Sequence, residues 1–176
     1  TLENGQTFHS DATVVTVPFN RETGELNPNS VEWKKCDNLY FKVSKRAFNE
    51  GIIGLVAEDA SLVNNLYYPF GQTVAGQPLL SVTVVKDHGL DPDTLCQQVR
   101  QDLKTYCNIE SGELVGHYYI KQALPDISDV RMKAEALSAQ TEQGVFLAGD
   151  YLLSGSLNAA MASGEVAAVA LAEALD

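Results

Sequence analysis

The chain has few positive charges. Its 176 residues include 12 Lys and Arg against 23 Asp and Glu, which gives a formal net charge of -11 at pH 7. A protein that binds nucleic acid through a general electrostatic field needs the opposite balance, because the phosphate backbone is a dense line of negative charge. The composition therefore argues against nucleic acid as a partner.

Cysteine is also scarce, and apolar runs are short. The three cysteines, Cys36, Cys96 and Cys107, are odd in number and widely spaced, which argues against a disulfide framework and against a zinc site. Cys96 and Cys107 lie about three helical turns apart, so we expect both on the core-facing side of one helix. No apolar run reaches the length of a membrane span, and no histidine or carboxylate pattern indicates a metal site. Reduced thiols indicate a reducing compartment, which we expect to be the cytoplasm, with the plastid as the alternative.

The stretch from Gly144 to Ala174 organises the rest of the chain. A short apolar run, Val145 to Ala148, stops at Gly149 and Asp150, crosses a turn rich in Ser and Gly, and continues into a segment of small residues. This order predicts a strand, an acidic turn and a helix. The first N–H groups of a helix have no partner within it and carry partial positive charge, so they can bind a ligand group. Asp150, at the end of the strand, is the candidate acid for binding sugar-type hydroxyls.

This stretch carries a family resemblance. AGD at residues 148–150, followed by SGSLNAAMASGEVAA from residue 154, resembles the C-terminal signature of the FAD-dependent amine oxidase and phytoene desaturase superfamily. The resemblance implies that FAD is the cofactor, that Asp150 binds a hydroxyl of its ribityl chain, and that the helix start points N–H groups at the pyrimidine edge of the flavin. The cofactor-binding residues implied in this way are Gly149, Asp150, Gly155, Ser156, Leu157 and Asn158. The alternative is an alanine-rich helix that packs on a parallel sheet through its small residues.

The same resemblance points to a motif that the sequence lacks. The GxGxxG loop, which holds the FAD pyrophosphate in the complete enzymes, is not present. We therefore expect the chain to be the C-terminal part of a longer protein and to contain one half of a cofactor site. A strand face exposed by truncation predicts self-association. Ala12 to Val17, closed by Pro18, predict a strand buried on both faces in a parallel sheet, similar to the last strand of the family's nucleotide domain.

The middle of the chain predicts an antiparallel meander backed by one helix. The helix is expected to begin after the capping residue Asp91, with Pro92 in its first position, and to end near Cys107 and Asn108. Its apolar face consists of Leu95, Val99, Leu103 and Tyr106. Strands are predicted over Asn38–Val43, Gly51–Ala57, Leu62–Tyr68, Leu79–Lys86 and Glu113–Ala123. Polar connections are predicted over Phe19–Lys35 and over the helix-prone segment Asp126–Gln143.

Periodicity and resemblance together predict an α+β fold. It comprises an antiparallel substrate-domain sheet backed by a helix, together with the last strands and the C-terminal helix of a Rossmann-like FAD domain. Residues 1–18 are predicted to be a strand segment of the FAD-binding domain, and residues 19–125 the substrate-domain sheet and helix. Residues 126–176 are predicted to form a crossing segment, the last strand and the C-terminal helix of the FAD-binding domain.

The most reactive-looking cluster is formed by His117, Tyr118 and Tyr119. In a strand, His117 and Tyr119 share one face and Tyr118 lies on the other. Two interpretations stay open, an aromatic wall above the flavin and ordinary strand aromatics. His9 and His88 lie in turn-like polar sequence, and we expect both to be solvated. SGSLN lacks the GxSxG pattern of a hydrolase nucleophile, so no catalytic residue is assigned.

The resemblance implies a function for the protein. It indicates the C-terminal part of an FAD-dependent oxidoreductase that transfers a hydride from a C–N or C–C bond of an apolar or amine substrate to flavin. The expected partners are FAD and a small-molecule substrate, without nucleic acid, and the chain alone is expected to be inactive. Two alternatives stay open, a flavin-dependent non-redox isomerase and a cofactor-free protein-interaction module.

Overall fold

The computed structural model describes residues 4–20, 23–128, 130, 131, 133, 139–141 and 144–176. The chain divides into two compact units. The first unit consists of Thr1–Trp33 with Leu124–Asp176, and the second of Lys34–Ala123. Whether these units correspond to the FAD-binding and substrate domains expected from the sequence stays a prediction.

The described elements make a mixed α/β fold with a mostly antiparallel sheet and a C-terminal helix, as the sequence predicted in outline. Their order is β1 (Thr13–Val15), β2 (Phe19–Asn20), β3 (Glu25–Leu26), β4 (Trp33–Val43), β5 (Ile53–Leu55), β6 (Val63–Tyr67), β7 (Thr73–Val74), β8 (Gln77–Val84), α1 (Pro92–Cys107), β9 (Ser111–Pro125), β10 (Val145–Leu147) and α2 (Leu157–Leu175). The largest sheet has the strand order β5-β6-β8-β4-β9, with β7 paired to β8. No helix in these ranges has the length and apolar character of a membrane span.

The core of the second unit lies between this sheet and α1. Successive side chains of a strand point to opposite faces, and in β4 Leu39, Phe41 and Val43 are all buried, as their alternation predicted. They belong to one apolar cluster with residues of β6, β8 and α1. Full burial of a side chain of this size contributes about 1.5–3 kcal/mol, so the β4 face and the helix face hold the unit together.

Helix α1 forms where its local signals predicted it. The Asp91 carboxylate accepts the backbone N–H groups of Asp93 and Thr94, both at 3.1 Å, and the Thr94 hydroxyl at 2.6 Å. Asn108 ends the helix in the left-handed conformation, with φ 54°. The buried side chains of α1 are Leu95, Cys96, Val99, Asp102 and Leu103. Three of the four residues predicted for the apolar face are buried, but Tyr106 is 42% exposed, so its assignment to that face was wrong. Cys96 was expected in the core, and Asp102 was not.

The backbones of β4 and β9 approach closely at one end of their pairing. A Cβ atom on Gly112 would lie 2.5 Å from the Lys42 carbonyl oxygen, so only glycine fits there without a backbone shift. The Arg100 guanidinium donates to the carbonyl oxygens of Ser111 at 3.1 Å and Gly112 at 2.5 Å, and lies 5.0 Å from the centre of the Phe41 ring. These contacts fix the start of β9 against α1 and β4, which sets the register of the strand.

The first unit contains the parallel pair β1 and β10. Thr13, Val14 and Val15 lie opposite Val145, Phe146 and Leu147. The parallel pairing was predicted, but the prediction that this strand is buried on both faces was wrong, because Val14 is 43% exposed and Val17 46%. Among the described residues β10 is the single strand neighbour of β1.

The segment Phe19–Lys35 is more ordered than the predicted connection. Strands β2 and β3 form a short antiparallel hairpin, in which Asn20 accepts the Thr23 N–H at 3.1 Å through its side chain. Gly24 takes the left-handed φ of 72° that this tight turn requires. A 3-10 turn follows at Pro28–Ser30, and β4 already begins at Trp33. Half of the predicted crossing segment Asp126–Gln143 lies outside the described residues.

Candidate functional site

The segment from Ala148 to Ser156, here called the AGD turn, begins where β10 ends. The Ala148 N–H continues the parallel ladder by donating to the Val15 carbonyl at 2.9 Å. The next N–H, that of Gly149, turns away from the ladder and donates to the Ser163 hydroxyl on α2 at 2.8 Å. Gly149 has φ 151°, and a Cβ atom there would collide with the Tyr151 ring. Glycine at this position is therefore required by the turn itself.

Asp150 is the first residue of a short 3-10 turn, Asp150–Leu152. Its backbone carbonyl accepts the Leu153 N–H at 3.0 Å, which closes the turn. The side chain is half-buried, and no described residue donates a hydrogen bond to its carboxylate. A carboxylate has room for several donors, so this group is available as an acceptor.

Helix α2 begins at the far side of the turn. Ser156 caps it, since its hydroxyl accepts the Ala159 N–H at 3.2 Å and its carbonyl accepts the Ala160 N–H at 3.1 Å. In the described part of the chain the N–H groups of Leu157 and Asn158 donate to no protein acceptor, and both residues are exposed. Two donors at the positive end of a long helix are thus open to an outside acceptor.

Gly155 has a packing role in the turn. A Cβ atom on it would lie 3.2 Å from the Pro125 carbonyl oxygen and 3.3 Å from the Pro125 ring. The absence of a side chain here lets the turn lie against the end of β9. A close approach of a cofactor is not needed to explain this glycine.

The aromatic residues of β9 divide between two faces, as predicted. Tyr118 contacts Tyr40 edge to face, with ring centres 5.9 Å apart. On that face the Asn38 amide donates to the Tyr40 hydroxyl at 2.9 Å and accepts the Ser81 hydroxyl at 3.2 Å. His117 and Tyr119 lie on the other face, where both line a pocket.

His117 and His88 flank one buried carboxylate. Asp37 is 6% exposed, and its two oxygens contact His88 Nε2 at 3.1 Å and His117 Nε2 at 2.5 Å. The expectation that His88 is solvated was wrong, because its side chain is only 14% exposed. His9 is exposed, as expected.

Cys36 precedes Asp37 in β4. Burial raises the pKa of the Cys36 thiol, and the Asp37 charge raises it further, so this thiol is a poor nucleophile at neutral pH.

A protein-family model matches almost the whole chain and shows which family it belongs to. A model described as flavin containing amine oxidoreductase matches residues 1–172. The chain belongs to the flavin-containing amine oxidoreductase family. The resemblance found in the AGD turn and in α2 is therefore confirmed over almost the whole chain. No curated protein sequence matches the chain.

Two solved structures resemble this member of the amine oxidoreductase family in fold. A protein from Pyrococcus furiosus matches with a TM-score of 0.62 and 13% identity, over 97% of this chain and 43% of that one. A CLA-producing fatty acid isomerase from P. acnes matches with a TM-score of 0.53 and 12% identity, over 90% of this chain and 40% of that one. The chain thus spans about two-fifths of the length of these structures, and at such identities the likeness shows the fold alone.

The six residues predicted to bind the cofactor of the amine oxidoreductase family lie together. Gly149 and Asp150 close the strand side of the turn, and the other four span the entry into α2. Their contact with FAD stays a prediction. Within the described ranges no group of three or more His, Cys, Asp or Glu residues has a metal-binding arrangement.

Sequence reasoning missed two parts of these sites. The sequence assigned no role to Ser163, yet its hydroxyl accepts the Gly149 N–H and holds that backbone in place. Its signal is the spacing of four that it shares with Ala159 and Ala167, the buried small residues of α2. Asp37 was also missed, although it continues the alternation of Leu39 and Phe41 and so falls on the buried face of β4. A carboxylate in such a position needs partners.

Proposed function

We propose that the chain is the FAD-contacting and substrate-contacting part of a flavin-dependent oxidoreductase. One observation carries this proposal: the Asp150 carboxylate and the N–H groups of Leu157 and Asn158 have no partner in the described chain, and they flank the AGD turn of the amine oxidoreductase family. One acceptor and two donors suit a cofactor that presents hydroxyls and an electron-rich edge. Any helix start leaves N–H groups open, so the observation that favours a cofactor over a merely structural turn is the unpaired Asp150 carboxylate at the family's AGD position.

Each group has a distinct task in this proposal. Asp150 accepts a hydrogen bond from a ribityl hydroxyl, which positions the cofactor along the end of β10. The N–H groups of Leu157 and Asn158 donate to the pyrimidine edge, where the helix dipole favours negative charge. Bound FAD supplies the acceptor for a hydride from a C–N or C–C bond of the substrate. Ser163 acts through Gly149 as a positioning residue.

The substrate is assigned to the polar and aromatic face of the large sheet. There the Asn38 amide donates a hydrogen bond to the Tyr40 hydroxyl oxygen. The Tyr40 O–H can therefore donate its own hydrogen bond to another group. Tyr118 adds an exposed ring beside it. An apolar substrate can pack on these rings, and an amine in its neutral form can also accept one hydrogen bond from the Tyr40 hydroxyl. We assign no catalytic acid or base to this face.

The test is FAD affinity in three variants of the protein expressed from its complete coding sequence. Asp150→Ala removes the acceptor, and because a hydrogen bond to a charged group contributes about 1.5–3 kcal/mol, Kd should rise about 10- to 150-fold. Asp150→Asn keeps an acceptor without the charge and should give a smaller rise. Asp11→Ala, an exposed aspartate before β1, is the matched control and should leave Kd unchanged.

Titration calorimetry on protein stripped of flavin measures these constants directly. An Asp150→Ala variant with the affinity of the starting protein would remove the role assigned to this residue. A complete protein that binds no FAD at all would remove the proposal.

A second candidate is a flavin-dependent isomerase that shifts double bonds without net redox change. It is favoured by the fold likeness to the fatty acid isomerase from P. acnes. Turnover of an unsaturated substrate in the absence of any electron acceptor would favour this candidate. Turnover that stops after one equivalent of flavin is reduced would favour the oxidoreductase.

A further inference from the structure

A pocket of about 450 Å³ lies within the second unit, whereas the AGD turn belongs to the first. It opens between the first turn of α1, the start of β4, the end of β8 and the middle of β9. Val84 and Leu95 form its buried floor, each 1% exposed, and its exposed apolar lining includes Leu90 and the ring of Tyr119. Sites for small molecules have volumes of roughly 300–1,000 Å³, so this pocket is large enough for one.

The polar wall of the pocket is the cluster of Asp37, His88 and His117. An ionised carboxylate is only an acceptor, so the Nε2 atom of each histidine donates to it. The Leu90 N–H donates to His88 Nδ1 at 3.0 Å, which requires a lone pair on that nitrogen. Both nitrogens of His88 are thereby used, and its imidazole is neutral.

His117 differs from His88 in one respect. Its Nε2 is held by Asp37, but its Nδ1 has no hydrogen-bond partner among residues of the described ranges. A neutral imidazole fixed in this tautomer carries a lone pair on Nδ1. Since the side chain lines the pocket and is 17% exposed, Nδ1 is the unpartnered ring nitrogen of the pocket wall, and it accepts a hydrogen bond when the ring is neutral.

The charges around the pocket balance. Lys35 and Lys86 contribute two positive charges, and Asp37 and Asp87 contribute two negative ones. Lys86 is held by two backbone carbonyl oxygens, at 2.6 and 2.7 Å, so its ammonium group is already satisfied. Neither an anion nor a cation gains a net electrostatic advantage here, and a neutral ligand fits best.

We propose that this pocket binds a small neutral hydroxyl compound, an alcohol or a phenol, whose O–H donates to His117 Nδ1 while its apolar body packs against Leu90 and the ring of Tyr119. Asp37 positions the imidazole, and His88 holds the loop after β8 against the same carboxylate. The pocket shares no residue with the AGD turn. It also lies on the opposite face of β9 from Tyr118.

A pair of probes that differ only in the donor tests this proposal. 4-Ethylphenol carries the O–H, and its methyl ether, 4-ethylanisole, has the same body without it. Binding is measured by ligand-observed NMR at about pH 8, where an ordinary imidazole is neutral and the phenol keeps its proton. The phenol should bind at least about threefold more tightly than the ether, as one neutral hydrogen bond allows. 4-Ethylbenzoate, which is anionic, should bind more weakly than the phenol.

One further measurement locates the site. In ¹⁵N-labelled protein the Nδ1 resonance of His117 should shift on addition of the phenol and stay in place with the ether. Because this readout uses the unaltered chain, it does not depend on any variant folding.

His117→Phe keeps a ring of similar size and removes the acceptor. It should reduce the preference for phenol over ether to about one, whereas His9→Phe, at an exposed histidine, should leave the preference intact. The proposal is overturned if neither probe binds, if the ether binds as well as the phenol, or if the His117 resonance ignores the phenol. None of these outcomes bears on FAD affinity, so the two proposals fail independently.

Discussion

Replacement of Ser163 by alanine tests how the AGD turn is held. Ser163 is 2% exposed in α2, and its hydroxyl accepts the Gly149 N–H at 2.8 Å and donates to the Ala160 carbonyl at 2.9 Å. The change removes the acceptor of Gly149 and leaves the rest of the helix face in place. The backbone at the end of β10 then has a donor without a partner.

Two opposing effects determine how much the Ser163→Ala change lowers the free energy of unfolding. An unsatisfied buried donor costs about 1–3 kcal/mol, and alanine recovers about 0.5 kcal/mol because it favours a helix more than serine does. We therefore expect a loss of about 1–2 kcal/mol in the free energy of unfolding of the first unit. The same change should weaken FAD binding, because the Gly149 N–H no longer fixes the turn that carries Asp150.

The assay is urea unfolding followed by fluorescence of Trp33, the single tryptophan, which belongs to the first unit. With a slope of about 1.5 kcal/mol per molar urea, the midpoint should fall by about 1 M. Ser10→Ala is the matched control, since this exposed serine makes only a 3.4 Å contact with the Thr13 hydroxyl. An unchanged midpoint in the Ser163 variant, with the control also unchanged, would refute the reasoning.

Two further predictions concern α1. Asp102→Ala removes the buried acceptor of the Leu62 N–H, which lies at 2.7 Å, and should cost about 2–4 kcal/mol in urea unfolding followed by circular dichroism, with Asp102→Asn costing less. The hydroxyl of Thr94 is the main cause that lowers the pKa of Asp91 below its ordinary 3.8. The capping contribution is therefore complete above about pH 4 and is lost as the pH falls through the lowered pKa. Asp91→Asn should flatten this acid dependence of thermal stability, and an unchanged acid slope would contradict the assignment.

The helix α1 and the alternation of β4 were predictable because their signals are local. Asp91, Pro92 and Asn108 define the two ends of the helix within the segment itself, and backbone geometry fixes which side chains share a face. The structure confirms both without any long-range contact being known beforehand. The AGD turn was located for the same reason, since a strand end, a glycine and a helix start follow one another within about ten residues.

Local sequence signals predicted the strand β1 but could not predict its exposure. An apolar run closed by Pro18 predicts a strand, and the parallel pairing with β10 is found. Burial of a strand depends on what covers its two faces, and those neighbours come from distant parts of the chain. The residues around Val14 contain no signal for such a neighbour, so its 43% exposure could not be predicted from them.

The cluster around Asp37 was predictable from the sequence only in part. Alternation in β4 places this carboxylate on the buried face, and a buried charge requires partners, so the sequence predicts that partners exist. Their identity depends on the register between β4 and β9, strands that bring residues 37 and 117 together over 80 positions. A slip by one residue would turn His117 to the other face and place Tyr118 beside the carboxylate. The close approach of Gly112 to the Lys42 carbonyl resists such a slip, because any other residue at that end of β9 would collide with backbone. The same glycine that permits the pairing therefore determines which side chain completes the pocket.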